Sequence, residues 1–109
     1  LRVTFLGNIK TELRTVAKHC AYCGDSLKQV TIDHVRPKSK HGVSHISNYA
    51  AACNHCNATL KRDLTVDEFF RRNPQARTHF INYLIELRGK VIGGINYSEV
   101  LSRFVRNGG

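Results

Sequence analysis

Four cysteines fall in two close pairs, Cys20/Cys23 and Cys53/Cys56, and most of the residues able to do chemistry lie between or beside them. Each CxxC presents two thiolates from one small turn, and two such turns complete a closed tetrahedral shell for zinc. Four soft, charged ligands leave the ion no open position, so the cysteines are assigned to structure and not to reaction. In a secreted chain the same four could form two disulfides. The paired spacing is read more economically as zinc in a reducing compartment, which makes the cytoplasm the expected location. His19 and His55 neighbour the ligands and could substitute for one or bind a second ion, although the simpler arrangement turns His55 away. Because zinc binding is coupled to folding, loss of the ion should unfold the centre.

Between the pairs lies Asp33-His34-Val35-Arg36-Pro37-Lys38-Ser39. A second polar cluster follows: Asn48, then Cys53-Asn54-His55-Cys56-Asn57, then Lys61. Histidine can act as a neutral base near pH 7. A carboxylate and an amide oxygen suit a hard ion such as Mg²⁺ or Mn²⁺, with waters and a phosphate completing its shell. One such ion can act as a Lewis acid on the phosphate and its leaving oxygen. Singly, Asp33-His34 reads as a surface pair and each asparagine as a turn or cap residue.

Together these residues resemble the HNH endonuclease family, in the subgroup whose active site is wrapped in a four-cysteine zinc site. The resemblance spans residues 20–62. It rests on an Asp-His-x-x-Pro-x-Ser run and an asparagine fourteen residues after the histidine, both enclosed by the cysteine pairs, and another asparagine nine later, directly after Cys56. It implies a ββα-metal unit in which two strands present His34 and Asn48 and the following helix presents Asn57. It further implies that His34 is the general base for the attacking water and that Asp33 and Asn57 hold one catalytic divalent ion. Asn48 would fix the loop and orient the base. The reaction implied is phosphodiester hydrolysis in DNA. Double-stranded DNA is the family's commonest substrate; nicked, branched or single-stranded DNA and RNA stay open. Two departures bear on substrate contact. His41-Gly42 stands where the family often has two glycines, and Leu60 stands four residues after the last cysteine, where a lysine is common, with Lys61 next.

The charge fits such a substrate. Seventeen Lys and Arg against eight Asp and Glu give a formal net charge of +9, spread along the chain and not gathered in a tail. Nucleic acid is the commonest partner for such a surface; an anionic membrane or an acidic protein would also fit. Arg36, Lys38, Lys40, Lys61 and Arg62 surround the centre and are the expected phosphate contacts, with Arg71, Arg72 and Arg77 extending that surface. His41 and His45 are further candidates to assist the base or touch phosphate. No apolar stretch approaches membrane-spanning length, and no signal peptide is evident. The sequence starts at Leu1 and contains no Met, as a piece of a longer protein or a trimmed product would.

At 109 residues the expected fold is a single α+β domain, with a zinc-stapled ββα core at 20–62 and mainly helical flanks at 1–19 and 63–109. The elements that must position the site are a helix from Ile9 to Cys20, a strand from Gln29 to Asp33, a polar loop from Lys38 to Ser47, a weak strand from Asn48 to Ala52 and a helix from Asn54 to Arg62. A capping box at Thr65–Glu68 opens a helix through Arg72, Asn73-Pro74 begins the next through Arg88, Gly93-Gly94 breaks the chain, and Asn96–Glu99 repeats the box before a last helix. The stripe from Phe80 to Leu87 fits either an internal core or a dimer interface. The main alternative function is a zinc-dependent nucleic-acid-binding module that does not cut; a third is a structural or protein-interaction domain. A second, exchangeable hard ion would distinguish the nuclease from both.

Overall fold

A computed structural model describes residues 9–106; the rest of both expected flanks lies outside the described residues. The chain order is α1 (Ile9–Val16), β1 (Thr31–His34), two 3₁₀ turns (Lys38–Lys40 and Ile46–Asn48), β2 (Tyr49–Ala52), a π helix (His55–Lys61), α2 (Val66–Arg72), α3 (Pro74–Glu86), β3 (Val91–Ile92), β4 (Ile95–Asn96), α4 (Tyr97–Leu101) and α5 (Arg103–Arg106). The architecture is α+β, with two small antiparallel sheets, β1–β2 and β3–β4, among helices. Among the described residues, no helix is long and apolar enough to cross a membrane.

β1 and β2 pair with Thr31 opposite Ala52 and His34 opposite Tyr49. Three alanines make β2 a poor strand by propensity. It forms because both its faces are covered, with Ala50, Ala51 and Ala52 fully buried, and because its outer edge is satisfied. Ala51 N donates to the Tyr83 hydroxyl at 3.0 Å, Tyr83 and Tyr97 hydroxyls meet at 2.7 Å, and Tyr97 donates to Tyr49 O at 2.7 Å. Ala21 N reaches Ala51 O at 3.0 Å. A buried edge left without these partners would forfeit its backbone hydrogen bonds. Two tyrosines from the C-terminal helices thus support the strand that follows the β1–β2 loop.

α1 ends four residues before the expected Cys20, because the backbone there bonds across the first cysteine turn: Leu27 N to Lys18 O at 3.0 Å and Cys20 N to Asp25 O at 2.9 Å. The capping box at Thr65 is complete, with Glu68 N on Thr65 Oγ1 at 3.2 Å and Thr65 N on Glu68 Oε1 at 2.8 Å. The expected second box is not formed. Asn96 caps α4 without a side-chain bond, and the last helix is split at Ser102. Gly93 and Gly94, both at positive φ (60° and 78°), do more than break the chain: they are the two-residue turn of the β3–β4 hairpin.

The core runs from Leu13 through Tyr22, Phe69 and Phe80 to Tyr97 and Leu101. Phe80, Leu84 and Leu87 of the apolar stripe are buried inside the chain, while Ile85 is exposed. Tyr22, from the first cysteine turn, packs edge-on to Phe69 (5.3 Å) and stacked on Phe80 (5.8 Å), joining that turn to α2 and α3.

Candidate functional site

The two cysteine turns converge. The Sγ atoms of Cys20, Cys23, Cys53 and Cys56 all lie within 4.8 Å of one another, and Cys23 and Cys53 are 3.9 Å apart. A tetrahedral zinc with Zn–S near 2.3 Å separates its sulfurs by about 3.8 Å, so the cluster has the dimensions of a structural zinc site. Backbone N–H groups point at two of the sulfurs, Tyr22 N to Cys20 at 3.4 Å and Cys56 N to Cys53 at 3.5 Å. Three of the thiols are pushed in opposite directions by their closeness and burial. The bond from Cys56 pulls Cys20 down to about 4, burial pushes Cys23 up to about 12, and the same Cys20–Cys56 bond drives Cys56 higher still. A divalent ion removes that conflict. His19 pairs with Glu86 at 3.0 Å, and His55 is exposed.

Adjacent strand residues face opposite ways, and β1 uses this to part Asp33 from His34. Asp33 is buried, 4% exposed. Its Oδ2 accepts from the Tyr22 hydroxyl and from Lys61 Nζ, the latter at 3.0 Å. Lys61 also donates to His34 O at 3.2 Å. Burial raises the Asp33 carboxyl above its usual pKa and lowers the Lys61 ammonium below its own, while each charge opposes the shift of the other. The expectation that Lys61 touches substrate phosphate is therefore corrected: the side chain is 0% exposed and committed to Asp33. The π helix explains how it gets there. An i→i+5 turn takes up one extra residue, so the lysine five places after Cys56 swings onto the face toward β1.

Asn57 lies one turn before Lys61 on that face. Thr31 Oγ1 donates to Ala52 O at 2.8 Å, which leaves it to accept from Asn57 Nδ2 at 3.0 Å. The amide oxygen of Asn57 is thereby turned away from Thr31. Thr31 and Asp33 share a face of β1, so the π helix brings Asn57 and Lys61 to the strand face that carries Asp33.

His34 ends β1 on the other face. Its Nε2 lies 3.2 Å from Ser44 Oγ, and its ring meets Tyr49 edge-on at 5.1 Å. Burial and Lys10, in that order, hold the imidazole below its ordinary pKa despite the Asp33 charge. Asn48, 1% exposed, staples the loop between the strands: Oδ1 accepts from Arg36 N at 2.8 Å, and Nδ2 donates to Arg36 O and Val43 O, both at 2.9 Å. His45 caps its own turn through Ser47, bonding Ser47 N at 3.2 Å, and makes no hydrogen bond to His34.

His41 takes the left-handed conformation (φ 70°) that the missing first glycine would adopt freely. At Gly42 a Cβ would lie 1.7 Å from Arg36 O. Gly42→Ala should therefore displace the Asn48-stapled loop and destabilise the protein by about 1–3 kcal/mol, read by denaturant unfolding of zinc-loaded protein. A loss within 0.5 kcal/mol, on the order of a neutral surface change, would show that the loop tolerates the shift.

Of the remaining basic residues expected at phosphate, Arg36, Lys38 and Arg62 are exposed, and Lys40 is tied to Glu68 at 2.9 Å. That lysine and the Thr65 amide, the amide first, hold the Glu68 carboxyl down to about 2. Sequence reasoning missed Tyr22, Thr31 and Ser44. Their polar atoms act only through partners that the fold supplies, although Tyr22, an aromatic inside a CxxC turn, was the most visible of the three.

Comparison with curated proteins finds no match, and comparison with solved structures finds none either. A family model described as HNH endonuclease matches residues 20–75, about half the chain, reaching past residue 62 through α2 to the start of α3. With the β1–β2 hairpin between two converging cysteine turns and the His55–Lys61 helix leading out of the second, and with metal-dependent nuclease function and nucleic-acid interaction as the general business of that family, this chain belongs to the HNH endonuclease family.

Proposed function

We propose that the chain is a single nuclease domain of the four-cysteine HNH subgroup, cutting phosphodiester bonds in DNA, double-stranded DNA foremost. The observation that carries this reading is one ββα unit bearing a partly exposed histidine at the end of β1, a buried carboxylate beside it, and an amide oxygen turned out from the facing helix. His34 Nε2, held by Ser44, takes the proton of the attacking water. Asn48 keeps the β1–β2 loop in register beneath it. Asp33 Oδ1, left over once Lys61 and Tyr22 are on Oδ2, and Asn57 Oδ1 are hard oxygen donors of the kind Mg²⁺ or Mn²⁺ takes. Such an ion, when bound, stabilises negative charge on the phosphate and the leaving oxygen. The cysteines hold zinc for structure, and Arg36, Lys38 and Arg62 bind phosphates.

One observation favours the alternative of a zinc-dependent module that binds nucleic acid without cutting: Asp33 is already neutralised by Lys61. Calorimetric titration of zinc-loaded protein with Mn²⁺ separates the two. The nuclease reading expects one exchangeable site, lost in Asp33→Asn and weakened in Asn57→Ala. Zinc as the sole bound metal would favour the non-cutting module.

A further inference from the structure

Two hollows adjoin where the exit of β1, the start of α2 and the helix α5 meet. One, of about 240 Å³, has Arg36 and Arg103 in its wall; the other, of about 280 Å³, has Arg71 and Arg77. Asp67 and Phe104 line both, so the two form one groove. Four guanidinium groups thus border a groove with a single carboxylate in its wall. Among the described residues none of the four makes an ion pair, not even with Asp67 in the groove wall; the ion pairs there join Lys61, Lys40 and His19 to other carboxylates.

These arginines are not loose surface charges. Three are steadied by backbone carbonyls: Arg36 Nε on Lys40 O at 2.7 Å, Arg103 Nη2 on Ser47 O at 3.2 Å and Arg77 Nη2 on Val105 O at 3.4 Å. Arg103 also stacks on the Phe104 ring, 4.7 Å from its centre. Each carbonyl bond engages one of five N–H donors and leaves the rest free. A guanidinium already held in place loses less freedom when it meets a phosphate. Like charges fixed along one groove repel each other until an anion lies between them, and a chain of phosphodiesters supplies anions at regular intervals. The groove begins at Val35, directly after His34, and Ser47, which holds Arg103, directly precedes Asn48.

We propose that this groove binds the phosphodiester backbone of the substrate beside the cleavage position, running from Arg36 and Arg103 past Phe104 to Arg71 and Arg77. The inference rests on the nuclease reading above and adds to it a substrate track. Arg77 and Arg103 lie beyond the family match, which ends at residue 75, so the C-terminal helices extend the family unit with a binding wall of their own. Arg72, expected to join its neighbour at phosphate, does not line the groove.

The test uses zinc-loaded His34→Ala protein without added Mg²⁺ or Mn²⁺, so that duplex DNA is bound but not cut, with affinity measured by fluorescence anisotropy across a salt series. Arg71 is exposed, and its side chain makes no hydrogen bond among the described residues, so Arg71→Gln leaves folding aside. It should flatten the slope of log K against log salt by about 0.9. Arg71→Gln/Arg77→Gln/Arg103→Gln, checked for zinc content and thermal unfolding, should flatten it by about 2 to 3. Arg88→Gln, exposed and outside the groove, should leave the slope unchanged. If Arg71→Gln and the triple variant keep the parent's affinity and slope, or Arg88→Gln matches Arg71→Gln, the groove is not the track, while plasmid cutting by the wild type would keep the nuclease reading intact. A protein that neither binds nor cuts duplex DNA overturns both.

Discussion

Stripping the metal from zinc-loaded protein, or replacing Cys56 with serine, is expected to unfold the chain. Structural zinc in small cysteine sites contributes about 10–16 kcal/mol at neutral pH, whereas domains keep a net stability of only about 5–15 kcal/mol. The site has no local substitute. Cys20 and Cys56 are 1% and 2% exposed, and the two turns they belong to are joined across the cluster by the sulfurs themselves. The first turn also carries Tyr22 into the Phe69–Phe80 core and Ala21 onto β2. Its release therefore loosens the aromatic core and the edge of the central hairpin together. Far-UV circular dichroism under a chelator should show loss of helix, recovered by adding zinc. A metal-free chain that melts as cooperatively and as high as the zinc-loaded one would remove zinc from the account of folding.

The second large effect is expected at Lys61. Removing one partner of a buried ion pair leaves the other charge uncompensated, which costs about 3–5 kcal/mol. Lys61→Met keeps the volume and the helix propensity but leaves Asp33 with only the Tyr22 hydroxyl, and it also takes the ammonium from His34 O. Asp33→Asn in the same chain should restore part of the loss, giving a coupling of at least about 1 kcal/mol in a double-mutant cycle. Denaturant unfolding of the four zinc-loaded proteins measures it. Additive effects of a few tenths of a kcal/mol, like those of an exposed pair, would mean that Lys61 does not hold Asp33 in solution.

Lys61 also shows where the sequence stops being readable. A lysine near a catalytic motif in a basic chain is a reasonable phosphate contact by composition. Its actual place depends on a π turn, and nothing in the one-dimensional spacing reports an i→i+5 register. The cysteine cluster was legible because ligand spacing is set by local turns and the two turns had to meet around one ion. The capping box at Thr65 was legible because it is closed within four residues. The strand Tyr49–Ala52 was faint because its stability comes from Tyr83 and Tyr97, more than thirty residues away in sequence. The β3–β4 hairpin carried a usable signal, two glycines between apolar pairs, whose meaning went beyond a simple break. Asp33 and His34 were recognised as a pair, yet period-two geometry sends them to opposite faces, each with its own partners: Lys61 and Tyr22 for one, Ser44 and Tyr49 for the other.

The central claim, that this HNH chain cuts DNA with His34 as its base, is tested most directly on supercoiled plasmid. Zinc-loaded wild type and His34→Ala are incubated with Mg²⁺ or Mn²⁺, with chelator controls and zinc content measured in both proteins. The account predicts nicking or linearisation that needs the added ion and falls by about 10²–10⁴-fold in His34→Ala. Folded, zinc-loaded wild type that cuts with neither ion, or a His34→Ala variant that cuts as fast as its parent, would contradict it.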